Sequence, residues 1–249
     1  MLAAFRVRWL LLLLVYYVIQ LLVSVVPVVG PLAMMILRPV FTVGFLAAAW
    51  TQQRGGVPQI GHLFRGFQTS LRALIPIGVV LVAGTMVAIL ATALIDGGAL
   101  LDAVTANAKP DEGLVTNTRV EAAMLFGILC ALPTLLAVWF APALVVFQDC
   151  GAANALATSF RAALANWRAL IVYALLLFFY GAVLPGMAIA VIAVVAPAEA
   201  APYVVALTIV PYIILFVAAW AISDYVAYRD IFHPDEVVAQ PESGVSAEK

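Results

Sequence analysis

Leu170-Ile171-Val172-Tyr173-Ala174-Leu175-Leu176-Leu177-Phe178-Phe179-Tyr180-Gly181-Ala182-Val183-Leu184-Pro185-Gly186-Met187-Ala188-Ile189-Ala190-Val191-Ile192-Ala193-Val194-Val195 carries no charged side chain. A bilayer core about 30 Å thick needs ~20 such residues in a helix. The run therefore reads as a transmembrane span, 170–195. Working outward, five more segments qualify: 9–29, 31–50, 73–95, 120–147 and 203–223. Spans one and two are separated only by Val28-Val29-Gly30-Pro31, which predicts a tight helical hairpin. The longest polar gap is 96–119.

Composition agrees. Of 249 residues, 66% are hydrophobic and 10% charged, against ~45–50% and ~25% in soluble domains. Mean hydropathy is +1.13. A soluble core of this length could not hide that much apolar surface. The net charge is −1 with no basic stripe, which speaks against a nucleic-acid partner. The expected fold is all-α: a polytopic membrane protein over residues 1–232, with a disordered cytoplasmic tail over 233–249. Arg6 and Arg8 followed by an apolar run mimic a signal peptide. The run continues to Val29 without an A-x-A site, so it reads as an uncleaved first span.

Basic residues set the orientation. With the N-terminus inside, the cytoplasmic side carries Arg6, Arg8, Arg54, Arg65, Arg72, Arg161, Arg168, Arg229 and Lys249, and the outer side Lys109 and Arg119. Both termini are therefore expected in the cytoplasm. Trp9, Trp50 and Trp167 then fall at the inner headgroup level, where aromatic belts belong.

The cytoplasmic connections contain a repeat. Residues 64–75 align without gaps on 160–171, and Phe64, Arg65, Arg72, Ala73, Leu74 and Ile75 recur as Phe160, Arg161, Arg168, Ala169, Leu170 and Ile171. Helical spacing puts Ile60, Leu63, Phe64, Phe67 and Leu71 on one stripe, with His62, Arg65, Thr69 and Arg72 opposite. The second copy pairs Leu156, Phe160, Ala163, Leu164 and Trp167 against Thr158, Arg161, Ala165 and Arg168. Two short helices are expected in the cytoplasmic interface, apolar faces toward the membrane, with Asp149 capping the second. The unit is span, interfacial helix, span, repeated in the same direction, which implies an axis along the membrane normal.

Trp139-Phe140-Ala141-Pro142-Ala143-Leu144-Val145, then Ser159-Phe160-Arg161 and Asn166-Trp167, resemble a family of uncharacterised proteobacterial integral membrane proteins. Gly61-His62-Leu63-Phe64-Arg65-Gly66-Phe67 and Tyr225-Val226-Ala227-Tyr228-Arg229-Asp230-Ile231-Phe232 are similar to it as well. The resemblance covers roughly residues 25 to 232. It implies six helices in the inner membrane, and it carries over no activity and no site residues.

Arg38 is the clear charge inside a span, and charge there is a usual pointer to function. Gln20 falls at similar depth across the hairpin. The pair reads either as a polar spot on a solute path or as an arginine snorkelling to the outer headgroups and bonded to Gln20. Pro39, Pro133, Pro142, Pro185 and Pro211 interrupt spans, as in transporters with broken helices or in ordinary spans whose neighbours satisfy the freed carbonyls. Asp149, Asp224 and Asp230 are expected to pair with nearby arginines. His62 and His233 lack partners at metal spacing, and no P-loop, G-x-S-x-G or H-E-x-x-H occurs. No catalytic residue, cofactor or metal is expected. Arg65, Arg72, Arg161 and Arg168 are the candidate contacts to anionic lipid headgroups. The reading is a non-enzymatic inner-membrane protein acting through lipid or protein contacts. The alternative is a small-solute or lipid transporter or channel built on the repeat.

Overall fold

A computed structural model of the chain describes residues 2–105 and 118–233. The expected tail beyond His233, and the middle of the outer connection, lie outside the described residues. The described residues are helical, with no strand among them. Six segments are long and apolar enough to cross a membrane: Val7–Ser24, Val29–Gln53, Leu71–Asp96, Arg119–Phe147, Trp167–Val195 and Ala201–Phe232.

Helix α1 (Leu2–Ser24) and α2 (Val29–Gln53) form the hairpin. The turn falls slightly earlier than expected, at Val25–Val28, with Val28 at φ 63°. Positive φ is uncommon for a β-branched residue. Proline explains the placement: Pro31 sits in the first turn of α2, where a missing N–H is no loss. A short 3₁₀ turn (Ile60–Phe64) and α3 (Arg65–Thr69) precede α4 (Leu71–Asp96), and α5 (Ala99–Thr105) follows it. Gly97, at φ 69°, closes α4 with a left-handed cap, as helix ends often do. The fourth span is two helices, α6 (Thr118–Trp139) and α7 (Ala141–Phe147). After α8 (Ala152–Ala165), the fifth span comprises α9 (Trp167–Phe178), a π-turn (Phe179–Val183) and α10 (Leu184–Val195). The sixth is α11 (Ala201–Phe232), longer than expected by more than two turns at its C-terminal end.

The chain divides into two compact units. One combines the start of the chain to Leu14, Phe45–His62 and the part from Arg168 onward; the other combines Val15–Gly44 and Leu63–Trp167. In the second unit small residues set the packing, as they do where lipid offers no hydrophobic drive between helices. Gly44 meets the backbone of Leu63, Gly66 the carbonyl of Val40 and Gly78 the carbonyl of Ile36, each too close for a Cβ. The segment 63–69 therefore lies alongside α2, not past its end. Helix α4 packs on α6, where Ala88, Thr92, Ala123 and Gly127 are buried. Helix α8 attaches to α6 and α7 through Ala155, Ser159 and Ala163. Its bulkier Leu164, and Trp167 at the start of α9, stay exposed.

The two segments that align in sequence, 64–75 and 160–171, break at the same register. Helix α3 ends at Thr69 and α4 starts at Leu71, while α8 ends at Ala165 and α9 starts at Trp167. The residues between, Ser70 and Asn166, share ψ 23° at φ −141° and −108°.

Of the five prolines expected to interrupt spans, two do so. Helices α2, α6 and α11 run through Pro39, Pro133 and Pro211. The chain breaks at Phe140, two residues before Pro142, and widens into the π-turn just before Pro185.

Candidate functional site

In the unit that contains α9, α10 and α11, aromatic side chains are drawn into hydrogen bonds. Tyr212, Phe216, Trp220, Asp224 and Tyr228 recur every fourth residue on α11, each one turn from the next. Tyr212, Phe216 and Asp224 meet the fifth span in order. In the π-turn the Leu184 N–H bonds to the Phe179 carbonyl. The next bond of that pattern would come from Pro185, which has no N–H. The Tyr180 carbonyl thus freed accepts the Tyr212 hydroxyl at 2.5 Å. The Phe216 ring lies against Gly181. Further along, the Tyr173 hydroxyl donates to Asp224 Oδ1 at 3.0 Å. The ring of Trp220 lies 6.1 Å from Phe216, and its buried Nε1 has no hydrogen-bond partner among the described residues.

The C-terminal end of α11 is tied to the end of α2. The hydroxyl of buried Tyr225 donates to Gln53 Oε1 at 2.5 Å. Beside it in sequence, Gln52 Oε1 accepts the indole N–H of buried Trp9 at 2.5 Å. Arg54 lies over Trp50, 4.2 Å from the ring centroid, a cation–π contact. His62 Nδ1 accepts the Gln59 N–H at 2.9 Å, and its Nε2 lies 3.4 Å from Thr51 Oγ1. The Trp9–Gln52 and Tyr225–Gln53 bonds fasten α1, α2 and α11 at one end.

Asp224 accepts the Tyr173 hydroxyl from α9. One expectation from the sequence is corrected. Asp149 does not cap α8: Gly151 is the N-cap, with no side-chain cap bond, and Asp149 sits at φ 53°. The ion pair expected at Asp230 forms with its neighbour Arg229, at 3.3 Å.

The residues singled out from sequence lie elsewhere. Arg38 and Gln20 are both exposed, and no hydrogen bond joins them. The polar group within electrostatic range of Arg38 is Tyr16, one helical turn before Gln20. The Tyr16 ring packs on Phe41, and Phe41 on Phe67, at 5.2 and 5.3 Å between centroids. Arg65, Arg72, Arg161 and Arg168 are all exposed, beside exposed Phe64, Leu71, Leu164 and Trp167. Among the described residues, no group of three or more His, Cys, Asp or Glu side chains could hold a metal. Sequence reasoning missed Tyr212, Ser159, and the Gln53–Tyr225 and Trp9–Gln52 pairs. The available signal for Tyr212 was Pro185, which demands that some neighbour satisfy a freed carbonyl.

The chain is similar to a probable inner membrane protein of Burkholderia thailandensis, 28% identical over 229 residues, covering 89% of this chain and 83% of the relative. No family model matches the chain, and no solved structure matches it.

Proposed function

We propose that this chain is a multi-pass protein of the bacterial inner membrane that works through contacts with anionic lipid, without chemistry of its own. Six apolar helices and a relative named as a probable inner membrane protein support the location. The basic bias of the sequence supports cytoplasmic termini. The observation that carries the lipid reading is the placement of Arg65, Arg72, Arg161 and Arg168. Each is exposed, and they flank two helix breaks that fall at matching positions of the repeat. Exposed Leu164 and Trp167 supply apolar surface beside them. A guanidinium offers phosphate a fork of donors, and each basic residue near an anionic leaflet contributes about 1 kcal/mol, screened by salt.

The shared backbone at Ser70 and Asn166 supports a parallel repeat of span, short helix and span. On this reading the short helices lie at the cytoplasmic surface and Leu164 and Trp167 enter the lipid. Changing all four arginines to Gln is expected to reduce the phosphatidylglycerol or cardiolipin that copurifies, read by native mass spectrometry, with helix content unchanged. Unaltered lipid content in a folded variant would reduce these arginines to orientation signals.

A further inference from the structure

Ser159 occupies the place of a backbone hydrogen bond. In an unbroken helix the Phe140 N–H would donate to the Leu136 carbonyl. Here the Phe140 N–H donates to Ser159 Oγ at 3.0 Å, and the Ser159 hydroxyl donates to the Leu136 carbonyl at 2.8 Å. One hydroxyl from α8 is thus inserted into the ladder of the fourth span, a recognised cause of a kink. Ser159 is 0% exposed, so water cannot replace it. Pro142, in the first turn of α7, favours the break because its ring crowds the carbonyl four residues earlier.

The first copy of the repeat provides a contrast. Shifted by the repeat register, Phe140, Pro142 and Ser159 correspond to Gly44, Leu46 and Leu63. There α2 is unbroken, and Leu63 approaches it backbone to backbone at Gly44. The same docking position carries a hydroxyl only where the span is broken.

We propose that Phe140 is a hinge in the fourth span and that Ser159 is its latch. With the hydroxyl in place, both backbone groups are bonded and α7 is held off the line of α6. With the hydroxyl withdrawn, the ring of Pro142 still resists the straight helix, so the Phe140 N–H and the Leu136 carbonyl stay open until the span straightens against it. An apolar surrounding penalises that open state, so displacement of α8 from α6 and α7 is what frees the hinge.

Hydrogen exchange of the peptide covering residues 136–147, in the full-length protein in lipid nanodiscs, tests this. Ser159→Ala is expected to speed exchange there by about tenfold or more, as when a buried amide loses its acceptor. Ser159→Thr, which keeps the hydroxyl, should retain protection. The double variant Ser159→Ala with Pro142→Ala should regain it, because the direct bond can then close. Unchanged exchange in Ser159→Ala would overturn the proposal. So would a double variant as exchange-prone as the single one. If Ser159→Ala does not fold, the double variant decides: it must fold and be protected, and its failure while Ser159→Thr folds refutes the latch.

Discussion

Replacing Gly44 by Ala tests whether backbone contact positions the first short helix. A Cβ at Gly44 would lie 2.5 Å from the Leu63 carbonyl oxygen, 2.6 Å from its Cα and 2.8 Å from its carbonyl carbon. Ordinary contact begins at 3.4 Å, so Leu63 must retreat by about 0.9 Å. All three atoms are backbone, and Leu63 is 0% exposed, so no side chain can rotate to make room. Overpacking of this kind costs about 1–3 kcal/mol. The better helix propensity of Ala returns ~1 kcal/mol, which leaves a net loss of about 0–2 kcal/mol, about 1–3 kcal/mol below a site where the propensity gain stands alone. Gly186→Ala is the control, because no described atom lies within 4 Å of its added Cβ. There the propensity gain stands alone. Thermal unfolding of both variants in one detergent, followed by size-exclusion fluorescence, should separate them by several degrees, at roughly 2–4 °C per kcal/mol. A Gly44→Ala protein as stable as Gly186→Ala would refute the close-contact reasoning.

Tyr225→Phe and Gln53→Leu are each expected to lower stability by about 0.5–1.5 kcal/mol. The double variant should lose little more than either alone, so strict additivity in thermal unfolding would mean that the bond contributes nothing. For topology, Asp102→Cys, an exposed position on α5, should react with a membrane-impermeant maleimide in intact cells while native Cys150 should not. The reverse labelling would invert the orientation and the leaflet of all four arginines.

The spans were legible because an apolar run long enough for a bilayer has few other uses. Residues 170–195 announced themselves by the absence of charge alone. Legibility ended where helices meet. On α8 the sequence draws the eye to Leu156, Phe160 and Leu164, on a stripe that also holds Ala163, yet the attachment is made by Ala155 and Ser159 together with Ala163. Between spans, bulk carries little energetic advantage over lipid and close approach decides the contact. A stripe of small residues is faint in any hydrophobicity pattern. The polar pins were hidden for a different reason. Gln53 and Tyr225 are far apart in the chain, and nothing local marks either as the other's partner. Arg38 was conspicuous by its charge, but its neighbour Tyr16 follows from the register of α1 on α2, which the length of the turn alone does not determine.

The bond from Tyr212 to the Tyr180 carbonyl also bears on how the chain is made. Synthesis delivers the fifth span to the bilayer ahead of the sixth. During that interval the carbonyl freed by Pro185 has no partner in its own helix, and lipid offers none. The fifth span is therefore complete as a membrane helix only after Tyr212 has arrived, and the last two spans form a unit of insertion that cannot be shortened from the C-terminus without stranding the first of them.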